Sequence, residues 1–132
     1  MASKQAWYTA ITANDATAKE QLGAVRKEWN TTDSCFKVYK YVQCSLTAAA
    51  ANGTVLAWWD TIGTVATDDI STASQNQPAG VATGAVTHNQ YGWIQIGGYH
   101  SAVVTNGDDD ITDGDTIILS STDRKCDSVA AG

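Results

Sequence analysis

Between Cys35 and Cys44 the side chains alternate in kind. Phe36, Val38, Val42 and Cys44 fall on one face of an extended chain, and Lys37, Tyr39, Tyr41 and Gln43 on the other, with Lys40 out of step. A two-residue period fits a strand and no helix. A lone strand or hairpin is marginal in water, so the remainder of the chain must supply partners. It is punctuated to do so. Leu22–Trp29 precedes the alternating run across Asn30-Thr31-Thr32-Asp33-Ser34, residues that favour a turn, and the two together read as a hairpin. Val55–Asp60, Ile62–Thr67, Ala79–Thr87, Tyr91–Ile96, Tyr99–Thr105 and Thr116–Leu119 read as further strands. Between them lie Asn52-Gly53, a polar loop from Asp68 to Pro78, His88-Asn89-Gln90, Gly97-Gly98 and Asn106-Gly107. Ala48–Ala51 fits one helical turn or a loop equally well. Seven or eight short strands at a spacing of about ten residues predict an all-β chain, a small single-domain β-barrel or sandwich of short antiparallel strands.

Composition agrees. The 132 residues include 17 Thr but only two Glu and one Met, few of the long side chains that favour helices. The length suits one domain. Residues 1–21 stand apart: Trp7-Tyr8 and Ile11 occur among small and polar residues, and Asn14 or Asp15 is placed to cap a short helix through Leu22, stopped by Gly23. This segment is read as an extended N-terminal arm with residues 22–132 forming the domain. Fully extended, it reaches about 70 Å, against a radius of gyration of about 14 Å for the whole.

The formal charge of −6 disfavours phosphate-driven nucleic-acid binding. Charge is unevenly spread: residues 1–60 hold six Lys/Arg and five Asp/Glu, residues 61–132 two and nine. No run approaches the roughly 18 apolar residues of a membrane span, and the N-terminus lacks a signal peptide's apolar middle, so a soluble, cytoplasmically made protein is expected. The three cysteines make no even-numbered disulfide framework and are expected as small buried hydrophobes.

Chemistry-bearing motifs are sparse. Aligning Gly114 with the glycine of a calcium-binding helix–loop–helix puts Ile111 at a ligand position and Ser120 at the closing acid, so Asp108, Asp109, Asp110, Asp113 and Asp115 read as a solvated acidic loop. His88 and His100 sit in no metal-binding pair, and no nucleophile elbow or phosphate loop occurs. The expectation is therefore no catalytic residue, no metal and no cofactor, and not an enzyme. Aromatics are the richer signal. Trp58 and Trp59, adjacent on a strand, must face opposite ways, so one is expected at a surface or subunit boundary. Trp7 and Tyr8 have no local core to join. Trp7, Tyr8, Ile11, Trp58 and Trp59 are thus the expected partner-binding residues.

Residues 79–98, Ala-Gly-Val-Ala-Thr-Gly-Ala-Val-Thr-His-Asn-Gln-Tyr-Gly-Trp-Ile-Gln-Ile-Gly-Gly, resemble a segment of the capsid decoration, or head cement, proteins of tailed bacteriophages. Leu22–Arg26 with Val38–Val42 is similar to that family's opening hairpin, and Asp113-Gly114-Asp115 before Thr116–Leu119 to its last strand. The Trp58-Trp59 pair, the Asp108–Asp110 run and the arm are not part of the shared pattern. The resemblance implies a viral structural protein on the outer surface of an icosahedral capsid, made in the host cytoplasm, that cements neighbouring capsomers against the pressure of packaged DNA. Its partners would be the major capsid protein and copies of itself, a trimer being favoured over a dimer, with neither nucleic acid nor membrane involved. The competing readings are a carbohydrate-binding β-sandwich module and another virion part such as a tail or head-fibre subunit.

Overall fold

A computed structural model describes residues 7–69, 77–105, 116–120 and 122–129. Among them are nine strands and no helix: β1 (Asn14–Asp15), β2 (Val25–Asn30), β3 (Cys35–Ser45), β4 (Val55–Trp58), β5 (Val65–Thr67), β6 (Pro78–Ala82), β7 (Gln90–Gly97), β8 (Thr116–Leu119) and β9 (Cys126–Val129). Five of these close on themselves. β3 pairs with β7, β7 with β6, β6 with β4 and β4 with β5, all antiparallel, and β5 returns to β3 in parallel. The protein is an all-β barrel, and the parallel pairing of β5 with β3 departs from the purely antiparallel expectation. β1 extends the sheet beyond β7, β2 extends it beyond β3, and β8 and β9 form a separate two-stranded ribbon.

Barrel width falls with strand number, and even eight strands leave an interior that side chains just fill. Five staves leave less. The interior accordingly holds small or slim residues, with one or two from each strand: Val42 and Cys44, Leu56, Ala66, Ala82 and Ile94, all at most 1% exposed. The alanine content of the chain is in part a requirement of this narrow lumen. Burial pushes the Cys44 thiol from 9.0 up to about 12, with the nearby Asp68 charge adding to the shift. The unfolded chain loses this proton near its ordinary value and the barrel holds it, so stability is full below pH ~9 and falls towards pH ~12. Denaturant midpoints measured from pH 8 to 11 should decline, and Cys44→Ala should flatten part of that decline.

β3 explains how one alternating strand serves two environments. Its eleven residues span about 36 Å, more than the barrel is tall. Val42 and Cys44 point into the lumen, whereas Phe36, on the same face, lies beyond the barrel rim and is 52% exposed. A bulge in the pairing with β7 at Val38/Tyr39 marks the departure.

Two local expectations fail for tertiary reasons. The short helix from Asn14 or Asp15 to Leu22 does not form. Asn14 and Asp15 instead pair with Gly92 and Tyr91 of β7, and the following residues turn, with the Tyr41 hydroxyl accepting the Lys19 N–H at 3.0 Å. So short a helix would be marginal unless packing favoured it. Tyr99–Thr105 is not a strand: Gly98 takes φ +86°, the imidazole Nδ1 of His100 accepts the Ala102 N–H, and only Thr105 bridges, to Cys126. Ala48–Ala51, left open between a helical turn and a loop, is a loop in which Ala50 bridges Val86. β9, absent from the sequence reading, pairs antiparallel with β8.

A buried ion pair helps to fasten the C-terminal ribbon. Asp68 is fully buried, accepts hydrogen bonds from the Thr47 N–H at 2.8 Å and hydroxyl at 3.0 Å, and meets the Arg124 guanidinium, whose Nε–H lies 2.7 Å from Oδ2. The same guanidinium donates to the carbonyls of Ala48 and Ala49, and the Arg124 carbonyl accepts the Val55 N–H at 3.0 Å.

Candidate functional site

Residues 7–15 do not swing free; they lie across the outer face of β3 and β7. The Trp7 ring meets Trp93 edge-on with centroids 5.0 Å apart, and Trp93 meets Tyr41 at 5.2 Å. The Arg26 guanidinium stands 5.7 Å from the Trp7 ring and 5.4 Å from the Trp93 ring, and donates to the Thr9 carbonyl. The indole N–H of Trp93 donates to the Thr9 hydroxyl at 2.8 Å, and the Thr83 hydroxyl donates to the Ile11 carbonyl at 2.9 Å. Gly92 makes the contact possible: a Cβ there would sit 2.8 Å from the Ala13 carbonyl oxygen. Trp7 and Ile11 therefore do have a core to join, against Tyr39, Tyr41 and Trp93 of their own barrel. The sequence reading missed this because it sought a core only among near neighbours in the chain, and Trp93 lies far along it. Both faces of β3 and β7 are covered.

The other expected contact residues divide. Tyr8 is 90% exposed, its backbone N–H bonded to the Glu20 carboxylate. Trp58 is half-buried, packs on the lumen cluster and lies under the Lys40 ammonium, 4.8 Å from its ring. Trp59 follows the end of β4 and is 47% exposed. The opposed orientation foreseen for the pair is thus visible in their surroundings.

A further exposed surface lies on the β2–β3 hairpin. Register pairs Trp29 with Phe36, Lys27 with Val38 and Val25 with Lys40, and such directly opposed residues share a face. Trp29 and Phe36 meet edge-on at 5.0 Å, each about half exposed, with the Lys27 ammonium 4.5 Å from the Phe36 ring. Val25 is exposed beside them, and Lys40 leads on to Trp58. The result is a stripe of Trp29, Phe36, Lys27, Val25, Lys40 and Trp58 along one side of the molecule. Among the described residues neither Lys27 nor Lys40 enters an ion pair; aromatic rings are their neighbours. The opposite face of the same hairpin is internally neutralised, with Arg26 paired to Glu28 and Lys37 to Asp33. Trp29 and Phe36 were not singled out from the sequence. The signal was there, since a hairpin closed at Asn30 and Cys35 necessarily sets residue 29 against residue 36.

No described group of His, Cys, Asp and Glu is placed to hold a metal ion. The Asp108–Asp115 stretch lies outside the described residues. His88 Nδ1 accepts the Leu46 N–H at 3.0 Å and serves the backbone. Between β4, β6 and the C-terminal ribbon is an apolar cavity of about 600 Å³, walled by Val55, Val81, Val103, Leu119 and Cys126 with His100 at its margin. Burial lowers the His100 pKa, and its Nδ1 is already engaged by the Ala102 N–H. No described helix is long and apolar enough to cross a membrane. Compared with family models, curated proteins and solved structures, the chain finds no match.

Proposed function

We propose that this chain is a structural protein that decorates the outside of an icosahedral phage shell and cements neighbouring capsomers, acting by binding and not by chemistry. The observation that carries the reading is the exposed aromatic–lysine stripe on the β2–β3 hairpin. Two large rings held half out of water by a rigid hairpin are costly to leave uncovered and are the residue types that dominate protein interfaces. The hairpin resembles the opening element of the decoration family, and β6–β7 carries its Tyr-Gly-Trp-Ile-Gln segment. Docking by three copies about a local three-fold would multiply a modest interface into firm attachment. The carbohydrate-binding alternative is less well served, because Trp29 and Phe36 stand at 75° and present no common flat platform to a sugar ring.

The test is binding of the purified protein to expanded shells assembled without a decoration protein, read by co-sedimentation. Trp29→Ala combined with Phe36→Ala should weaken binding about 100-fold or more. Circular dichroism should stay unchanged, since both rings lie beyond the barrel rim. Failure of the unaltered protein to bind shells, or equal binding by the double variant, rejects the proposal.

A further inference from the structure

Among the described residues β2 has a strand on one side only. The Tyr41 N–H bonds the Ala24 carbonyl at 2.9 Å, and the register continues without a break from Val25↔Lys40 to Asn30↔Cys35. Along an antiparallel pair, residues alternate between those that bond the partner and those that turn their N–H and C=O away. Counting from Ala24, the backbone groups of Arg26, Glu28 and Asn30 face β3, and those of Val25, Lys27 and Trp29 face outward. Among the described residues no strand pairs with that outer edge. The three residues with outward backbone groups are also the three whose side chains lie on the aromatic–lysine stripe. An edge of this kind is a template for another strand.

The side chains say what that strand should carry. An added strand lies about 4.8 Å from β2, and its alternate residues fall beside Val25, Lys27 and Trp29. Val25 and Trp29 are exposed apolar surfaces; Lys27 between them is a cation with no carboxylate partner among the described residues, in a chain of net charge −6. The complement is apolar, then acidic, then apolar at every second position. A second copy of β2 fits badly. A two-fold axis normal to the sheet must pass opposite one residue, so pairing centred on Lys27 opposes two lysines, and pairing centred on Glu28 opposes two glutamates. Like charges directly opposed are destabilising.

We infer that the open edge of β2 is a docking site for an extended, acidic segment of another protein, which adds as a strand and sets a carboxylate against Lys27 between two apolar side chains. The inference rests on the reading of this face as a partner surface and specifies how the partner is held.

The probe is the blocked peptide Thr-Val-Thr-Asp-Thr-Val-Thr, with a control carrying Lys in place of Asp, titrated into the full-length 15N-labelled protein. The Asp peptide should bind at least tenfold more tightly, shifting the amides of Val25, Lys27 and Trp29 and protecting them from exchange. Lys27→Glu should invert the preference between the two peptides. Lys27→Pro removes an outward N–H and no bond to β3, and should abolish binding of both. Should the proline variant fail to fold, the inversion by Lys27→Glu still decides. Equal affinity for the two peptides, binding of neither at millimolar concentration, or a Lys27→Glu variant with unchanged preference overturns the inference. Shell binding by the unaltered protein without peptide binding overturns the edge pairing alone. Peptide binding without shell binding overturns the decoration reading alone.

Discussion

Arg124→Ala should lower the free energy of unfolding by about 3–5 kcal/mol, because it strands the Asp68 carboxylate in the interior without its partner. Asp68 is fully buried and held by the Thr47 N–H and hydroxyl as well as the guanidinium, so the variant keeps two of its hydrogen bonds and loses the charge that balances it. The loss goes beyond the pair. Arg124 also caps the Ala48 and Ala49 carbonyls, and its own carbonyl receives the Val55 N–H, so the variant loosens the join between the C-terminal ribbon and β4. In a domain of this size the change corresponds to a fall in Tm on the order of 10 °C. Thermal denaturation followed by circular dichroism measures it. Removing both charges, as Asp68→Leu with Arg124→Met, should restore part of the loss, since an apolar pair replaces a buried ion pair at little cost when no charge is left over. An Arg124→Ala variant as stable as the parent would mean that the ion pair does not fasten the ribbon.

Trp93→Ala should be comparably severe, costing about 3–5 kcal/mol. Trp93 is 1% exposed and is the hub of the outer cluster: Trp7 and Tyr41 meet its ring, Arg26 lies over it, and its indole N–H holds the Thr9 hydroxyl. Removing it opens a cavity and leaves the arm little to rest on. Limited trypsinolysis distinguishes this from simple destabilisation. Cleavage after Lys19 should become fast at temperatures where the barrel is still folded, because the Lys19 N–H is tied to the hydroxyl of Tyr41, whose ring packs on Trp93. Trp93→Phe keeps most of the packing but no donor for Thr9, and should fall between the two. A Trp93→Ala protein whose arm resists protease as well as the parent would refute the view that this side chain holds residues 7–15 in place. The same reasoning alters what an arm deletion means. Removing residues 2–13 would uncover Trp93 and Tyr41 of the same molecule, so weaker binding to a partner could follow from exposed core alone. Substitutions on the β2–β3 hairpin avoid that ambiguity, since Trp29 and Phe36 cover no described core cluster.

Local pattern carried the strand content and the hairpin. The alternation in Cys35–Cys44 and the turn residues Asn30–Ser34 are properties of neighbours in the chain, and their consequence was legible. Barrel closure was not, because it depends on β5 returning to β3 in parallel, a contact between residues about 22 apart that no period records. The helix expected at Asn14–Leu22 is instructive in the same way. Its propensity was adequate and its capping residues were present, but the same Asn14 and Asp15 gain more by pairing with β7, where Gly92 lets them approach.

The candidate site divides along the same line. The abundance of Trp and Tyr announced that some would lie at a surface, and the adjacency of Trp58 and Trp59 required them to part. Which aromatics are free was a tertiary matter. Trp7 looked unattached only because its receptor, Trp93, lies 86 residues further along. Phe36 shares a strand face with Val42 and Cys44, yet they are buried and it is half exposed. Sequence alone thus determined that this chain would be built of strands, with alternating faces and an excess of aromatic surface, since those follow from backbone geometry and side-chain type. The tertiary structure alone decided which face meets water, because exposure depends on where a long strand outruns the barrel and on what distant segment comes to lie over it.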